Sequence, residues 1–310
     1  MATLNNKPDY SLYSNAFGFL RQPLNFSPLT SDADVIVIGF PFDMATTGRS
    51  GARMGPGAIR KASMNLAWED TRWPWSFSLS DSIKIEDAGD FVFEPGDAEA
   101  FTKEVEAYVS QLIQSEKTLL SFGGDHFITL PLLRAHSNVH KDIALVHFDA
   151  HTDTYSQGSR YDHGTMFYHA PKEGIINADH SIQIGIRTDY EKENHAFDVI
   201  DAVTANQLSA DDIIQRIKNR VGNHPVYVSF DIDCLDPAFA PGTGTPVCGG
   251  LTTDKILQVI RGLSNVNLIG MDVVEVSPAY DNAEITSLAA ASIALDLLHV
   301  WAVAQGKITT

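Results

Sequence analysis

Two short strings place acidic and imidazole side chains at alternate positions: Asp149-Ala150-His151-Thr152-Asp153 and Asp231-Ile232-Asp233. Side chains two apart on an extended segment point the same way, so Asp149, His151 and Asp153 can converge, as can Asp231 and Asp233. A third string, Gly123-Gly124-Asp125-His126, carries another histidine. Four carboxylates crowded together without a cation repel one another and cannot all stay ionised. Two divalent cations would neutralise them. Oxygen donors dominate, only two histidines join them and no cysteine ligand is evident, which suits Mn²⁺ better than a structural zinc. A lone Asp-x-Asp is usually a loop cap or a solvated turn. Here three such strings each follow an apolar run directly, and ligands in open α/β sheets collect beyond the carboxyl ends of strands.

The elements that would position these residues are legible as an alternation. Apolar, β-branched runs at 34–39, 117–122, 143–148, 181–186, 226–230 and 267–274 read as buried parallel strands. Helical spacing lies between and after them, at 98–115, 128–136, 210–220, 253–262 and 283–304. The expected fold is α/β, a three-layer α/β/α sandwich with a mainly parallel central sheet. No repeat or low-complexity linker marks a boundary, so residues 34–310 are expected to form one domain. Residues 1–33, with Pro8, Pro23 and Pro28 but little periodicity, are expected to wrap the surface or meet another subunit. The glycine-rich stretch from Gly48 to Arg60 lacks the Gly-Lys-Ser/Thr ending of a phosphate loop and reads as a turn that opens a helix at Pro56.

Composition excludes several classes. The 310 residues are 44% hydrophobic and 20% charged, which fits a folded globular chain rather than a disordered or fibrous one. No run approaches the ~18 apolar residues that a membrane helix needs. Two cysteines, Cys234 and Cys248, are too few for a disulfide framework, and the first residues lack a signal-like pattern, so a cytoplasmic location is expected. A formal net charge of −17 argues against nucleic-acid or anionic-membrane partners and favours cationic ligands.

The sequence also resembles the ureohydrolase family, on its agmatine-hydrolysing branch. The strings carrying the resemblance are Gly-Gly-Asp-His at 123–126, Asp-Ala-His-Thr-Asp at 149–153, Ser-Phe-Asp-Ile-Asp-Cys-Leu-Asp-Pro at 229–237, Ala-Pro-Gly-Thr-Gly-Thr-Pro at 240–246 and Met-Asp-Val-Val-Glu-Val at 271–276. The likeness runs from about residue 14 to the last helix. It implies an arginase/deacetylase-like fold and a binuclear manganese enzyme that hydrolyses a guanidino group to urea and an amine. One ion would be held by His126, Asp149, Asp153 and Asp231, the other by Asp149, His151, Asp231 and Asp233, with Asp149 and Asp231 bridging. Water between two dications ionises readily, and the resulting hydroxide is the implied nucleophile. Glu275 would bind the guanidinium with two parallel hydrogen bonds. Asp153 would pass a proton toward the leaving amine, and His163 would shuttle protons. His147 and His136 read as packing or surface residues.

The resemblance further implies agmatine as substrate, putrescine and urea as products, a place in polyamine (putrescine and spermidine) biosynthesis, and a homo-oligomer, a trimer or hexamer. Arginases carry Asn two residues after the last Asp of Asp-x-His-x-Asp, where it helps hold the α-carboxylate; here Tyr155 stands there. Tyr155 and Asp162 are the side chains best suited to receive the substrate's far ammonium. Arg160 is the only basic side chain between 154 and 163 apart from His163, so a carboxylate tail has one obvious partner. The competing readings are a guanidinobutyrase or another guanidino-acid ureohydrolase, and a non-catalytic metal-binding scaffold.

Overall fold

A computed structural model describes residue 15 and residues 18–308. Among these, eight strands form one parallel sheet. They are β1 (Val35–Phe40), β2 (Ile85–Asp90), β3 (Thr118–Gly123), β4 (Ala144–Phe148), β5 (Ile182–Ile186), β6 (Asp198–Asp201), β7 (Pro225–Asp231) and β8 (Asn267–Val274). Their order is β2-β1-β3-β8-β7-β4-β5-β6. The central strands are buried at almost every position and mostly apolar because both faces are covered. In β1, Val35 and Val37 enter one core while Ile36, Ile38 and Phe40 enter the other.

Helices α3 (Ala98–Gln114), α4 (Thr129–Ser137) and α5 (Met166–Lys172) cover one face. The other is covered by α1 (Gly55–Ser63), α2 (Leu79–Ser82), α6 (Ala202–Gln207), α7 (Ala210–Val221), α8 (Thr253–Arg261) and α9 (Ile285–Ala304). The three-layer expectation therefore holds, and α1 opens with Pro56 in its first turn. Strands β2 and β6 were not expected. Both are sheet edges, and their acidic, partly exposed sequences carry no apolar run.

The expectation that no segment approaches a membrane span is corrected by α9. It has 20 residues and a mean hydropathy of 1.6 over its best window, long and apolar enough by length and composition to cross a membrane. Most of it is buried against β8, α1 and α8. A helix covered all round needs no polar stripe. Its interior Asp296 is not orphaned, because Arg261 Nε and Trp75 Nε1 each donate to it at 2.8 Å.

Residues 1–14, 16 and 17 of the expected N-terminal segment lie outside the described residues. From Gly18 onward the segment lies along β2. Phe19 is buried and its N–H donates to Asp87 Oδ2 at 2.7 Å, and Leu24 forms an isolated bridge with Asp87.

Candidate active site

Four neighbouring strands deliver the site. Asp149 follows β4 directly, Asp231 ends β7, Glu275 follows β8, and His126 lies three residues beyond β3. In Gly123-Gly124-Asp125-His126 each residue has a mechanical reason. A Cβ on Gly124 would sit 1.8 Å from the Phe42 carbonyl oxygen, so only glycine allows that approach. Asp125 then ties two loops down, accepting from Ala45 N–H at 2.8 Å and Phe127 N–H at 3.1 Å. Asp125 is buried beside Glu275, and burial and that second carboxylate push its pKa well up.

All six expected ligand side chains come together. His126 Nδ1 faces Asp149 Oδ2 at 3.1 Å, Asp153 Oδ2 at 2.9 Å and Asp231 Oδ2 at 3.3 Å. His151 Nδ1 lies 3.2 Å from Asp149 Oδ1 and 3.1 Å from Asp233 Oδ2. Asp149 therefore addresses both groups, one oxygen to each. Asp231 reaches the first group through Oδ2, while its Oδ1 accepts the Asp233 N–H at 2.8 Å.

His126 shows what this arrangement is built to receive. Ser229 Oγ donates to Asp272 Oδ1 at 2.8 Å, so it accepts from His126 Nε2–H, also at 2.8 Å. In the neutral ring, with its proton on Nε2, Nδ1 turns a lone pair toward three carboxylates and has no hydrogen-bond partner. A buried lone pair among carboxylate oxygens is the donor set of a divalent cation.

The acid–base balance agrees. Burial, then Asp233 and Asp149, push Asp231 well above the carboxylate range, and Asp153 and Asp233 are raised by burial and by Asp149. Burial would lower both histidines, yet the carboxylates hold His126 well up and push His151 up to about 12. Asp149 stays well below its usual value despite burial, because His147, His126 and His151 surround it. Without a cation the cluster is short of positive charge.

His147 corrects the expectation of a packing residue. Its Nε2 lies 2.8 Å from Asp149 Oδ2, and it stands with His126, Asp149 and Asp153 in a group of possible ligand atoms within 4.8 Å of one another. Its position two residues before Asp149 was the available signal. His136 is buried on α4, with Nδ1 against the Leu132 carbonyl at 2.8 Å, as a packing residue would be.

Beside the cluster, Glu275 Oε1 accepts from His126 N–H at 3.0 Å and from His163 Nδ1–H at 2.8 Å. Its Oε2 is buried without a partner, and a Cβ on Gly244 would lie 3.3 Å from it. Both lone pairs of Oε1 are used, so the free acceptor is Oε2 alone rather than two parallel oxygens. Burial disfavours charge on His163, but Glu275 raises its pKa to about 9. Thr47 was not foreseen; its N–H donates to His163 Nε2 at 3.1 Å and its hydroxyl lies at 2.9 Å. In the neutral ring that acceptor role puts the proton on Nδ1, toward Glu275. Asp153 and Glu275 both adopt left-handed backbone, with φ of 51° and 64°. Phe167 N–H and the Gly124 carbonyl hold these two positions at 3.0 and 2.8 Å.

A cleft of about 760 Å³ opens onto Asp153, His163 and Asp231. Tyr155 and Asp162 line it, together with Asp189, Tyr190, Glu191 and His195. Tyr155 is 61% exposed, and Asp162 Oδ1 accepts its own loop's Gly164 N–H at 2.8 Å. Arg160 lies apart from the cleft, 63% exposed and paired with Glu173 at 3.5 Å. Among the described residues one lysine or arginine lines the wall, Lys172, and its ammonium sits over the Tyr168 ring at 3.4 Å.

Residues 33–299 match the model of the arginase family. The chain belongs to that family. The agmatinase of Serratia proteamaculans is 59% identical over 307 residues, 99% of this chain and 100% of that protein. A crystal structure of a hypothetical agmatinase from Burkholderia thailandensis superposes with a TM-score of 0.91 at 44% identity, covering 96% of this chain and 94% of that one. Proclavaminate amidino hydrolase from Streptomyces clavuligerus gives a TM-score of 0.90 at 38% identity, covering 95% and 99%.

Proposed function

We propose that the chain hydrolyses agmatine to putrescine and urea at a centre of two Mn²⁺ ions. The observation that carries the substrate reading is the cleft wall, where Asp162, Asp189 and Glu191 are among the lining residues against a single lysine, Lys172, and Arg160 pairs with Glu173 outside it. Such a wall favours an ammonium tail and leaves a carboxylate tail poorly paired.

His126, Asp149, Asp153 and Asp231 would hold one ion, and Asp149, His151, Asp231 and Asp233 the other. The ions, when bound, supply an acidified water as nucleophile near neutral pH. Glu275 Oε2 accepts from the guanidinium and orients its planar carbon. Asp153 takes the nucleophile's proton and passes it toward the leaving amine, and His163, held between Glu275 and Thr47, completes the proton path. Tyr155 and Asp162 border the route of the tail. Residues 34–310 would act as one domain of a cytoplasmic homo-oligomer, with 1–33 wrapping the surface or meeting another subunit; light scattering tests the assembly.

Exhaustive chelation is expected to abolish urea release, and added Mn²⁺ to restore it. Full activity in protein shown by elemental analysis to be metal-free contradicts this. Agmatine is expected to exceed arginine and 4-guanidinobutyrate by at least ~100-fold in kcat/KM, a penalty of ~3 kcal/mol for a poorly paired carboxylate. If 4-guanidinobutyrate outruns agmatine in direct competition, the substrate is a guanidino acid.

A further inference from the structure

We propose that Gln183 is a positioning residue that fixes the tautomer of His147, so that His147 serves Asp149 as a hydrogen-bond donor and is kept from becoming a metal ligand. The inference deepens the metal-centre reading above and rests on it. Gln183 lies opposite His147 across the β4–β5 ladder and is fully buried. Its Nε2 lies 2.7 Å from the Thr152 carbonyl oxygen and 2.9 Å from His147 Nδ1. A carbonyl only accepts, so the amide nitrogen, not the oxygen, must face Thr152. The second amide hydrogen then points at His147 Nδ1, which has to offer a lone pair. With Nδ1 accepting, the ring proton sits on Nε2, aimed at Asp149 Oδ2. The far side closes consistently, because Gln183 Oε1 is free to accept from His195 Nε2 at 2.7 Å.

Distance alone would let His147 join the donor set. With Nδ1 protonated instead, the Nε2 lone pair would face an anionic oxygen at 2.8 Å, an arrangement favourable only if a cation came between them. A third imidazole would shift the site from hard toward borderline ions, from Mn²⁺ toward Zn²⁺. Gln183 therefore acts on metal preference without touching metal or substrate. His147 has little room to escape by turning, since its ring packs at 4.4 Å from Phe167 and 5.1 Å from His126.

The test uses full-length protein in which the histidines are ¹⁵N-labelled, with His147 assigned by its loss in His147→Gln. In metal-free wild type, His147 is expected to show an unprotonated Nδ1 and a protonated Nε2. Gln183→Glu puts an oxygen where an N–H stood, and the proton is expected to move to Nδ1. Competition between Mn²⁺ and Zn²⁺ alone should then shift at least ~10-fold toward Zn²⁺, with Mn²⁺ affinity falling ~10–100-fold, the usual range for partners of metal ligands. Gln183→Met keeps the shape, guards against a folding defect, and should lower Mn²⁺ affinity in the same range. A protonated Nδ1 in wild type, or unchanged tautomer and metal preference in folded Gln183→Glu, overturns the proposal. Because no readout uses agmatine, loss of the substrate assignment would leave these results standing, and the converse holds.

Discussion

Asp149→Asn is expected to lose the second metal ion and at least ~100-fold in kcat/KM, more than His126→Asn loses. Asp149 is the carboxylate that addresses both ligand groups, Oδ2 toward His126 and Oδ1 toward His151. An amide keeps the shape but removes a charge and turns an N–H toward one of the groups. Removing one partner of a buried charged set costs about 3–5 kcal/mol, and ~3 kcal/mol is about 100-fold in an equilibrium. Elemental analysis decides the matter: two ions per chain in Asp149→Asn would remove the bridging role. Asp231→Asn is expected to act in the same direction, because its Oδ2 faces His126 and its Oδ1 accepts the Asp233 N–H just as Asp149 Oδ1 accepts the His151 N–H.

Glu275→Gln is expected to keep both ions and lose at least ~30-fold in kcat/KM, ~2 kcal/mol of transition-state stabilisation. The orientation of the new amide is dictated by its surroundings. His126 N–H and His163 Nδ1–H both donate to the Oε1 position, so the amide oxygen must settle there. Its NH₂ group then occupies the Oε2 position, where the substrate presents only N–H groups. Donor meets donor, and the charge pairing is gone as well. Near-normal turnover in the fully metallated variant would leave Glu275 with a structural part only, tying His163 to the end of β3.

The interior strands were legible because burial on both faces writes itself as an unbroken apolar run, as in Val35-Ile36-Val37-Ile38 and Leu145-Val146. Strands β2 and β6 escaped because an edge strand alternates with solvent, and Ile85-Glu86-Asp87-Ala88-Gly89-Asp90 looks like a loop. At the site, the period-2 spacing made the Asp149 and Asp231 strings readable. The same spacing extends back to His147, yet an apolar neighbourhood suggested packing. Gln183, Thr47 and Asp272 could not be found this way, since their partners lie 36, 116 and 43 residues away and only the folded chain brings them together. The α9 run was underrated because Thr, Ser, Asp and His interrupt a helix that is apolar on average.

The left-handed backbone at Asp153 and Glu275 bears on how this chain would age if its activity ceased to matter. Each position costs about 1–2 kcal/mol for a residue with a Cβ, and glycine would relieve most of that. At residue 153 glycine would also remove a carboxylate crowded by Asp149. Mutation toward a sturdier fold and mutation toward an inert one therefore coincide there. In a lineage released from selection for hydrolysis, Asp153 is expected to drift to Gly or Asn early, while Asp125, which braces loops in an unstrained conformation, outlasts it.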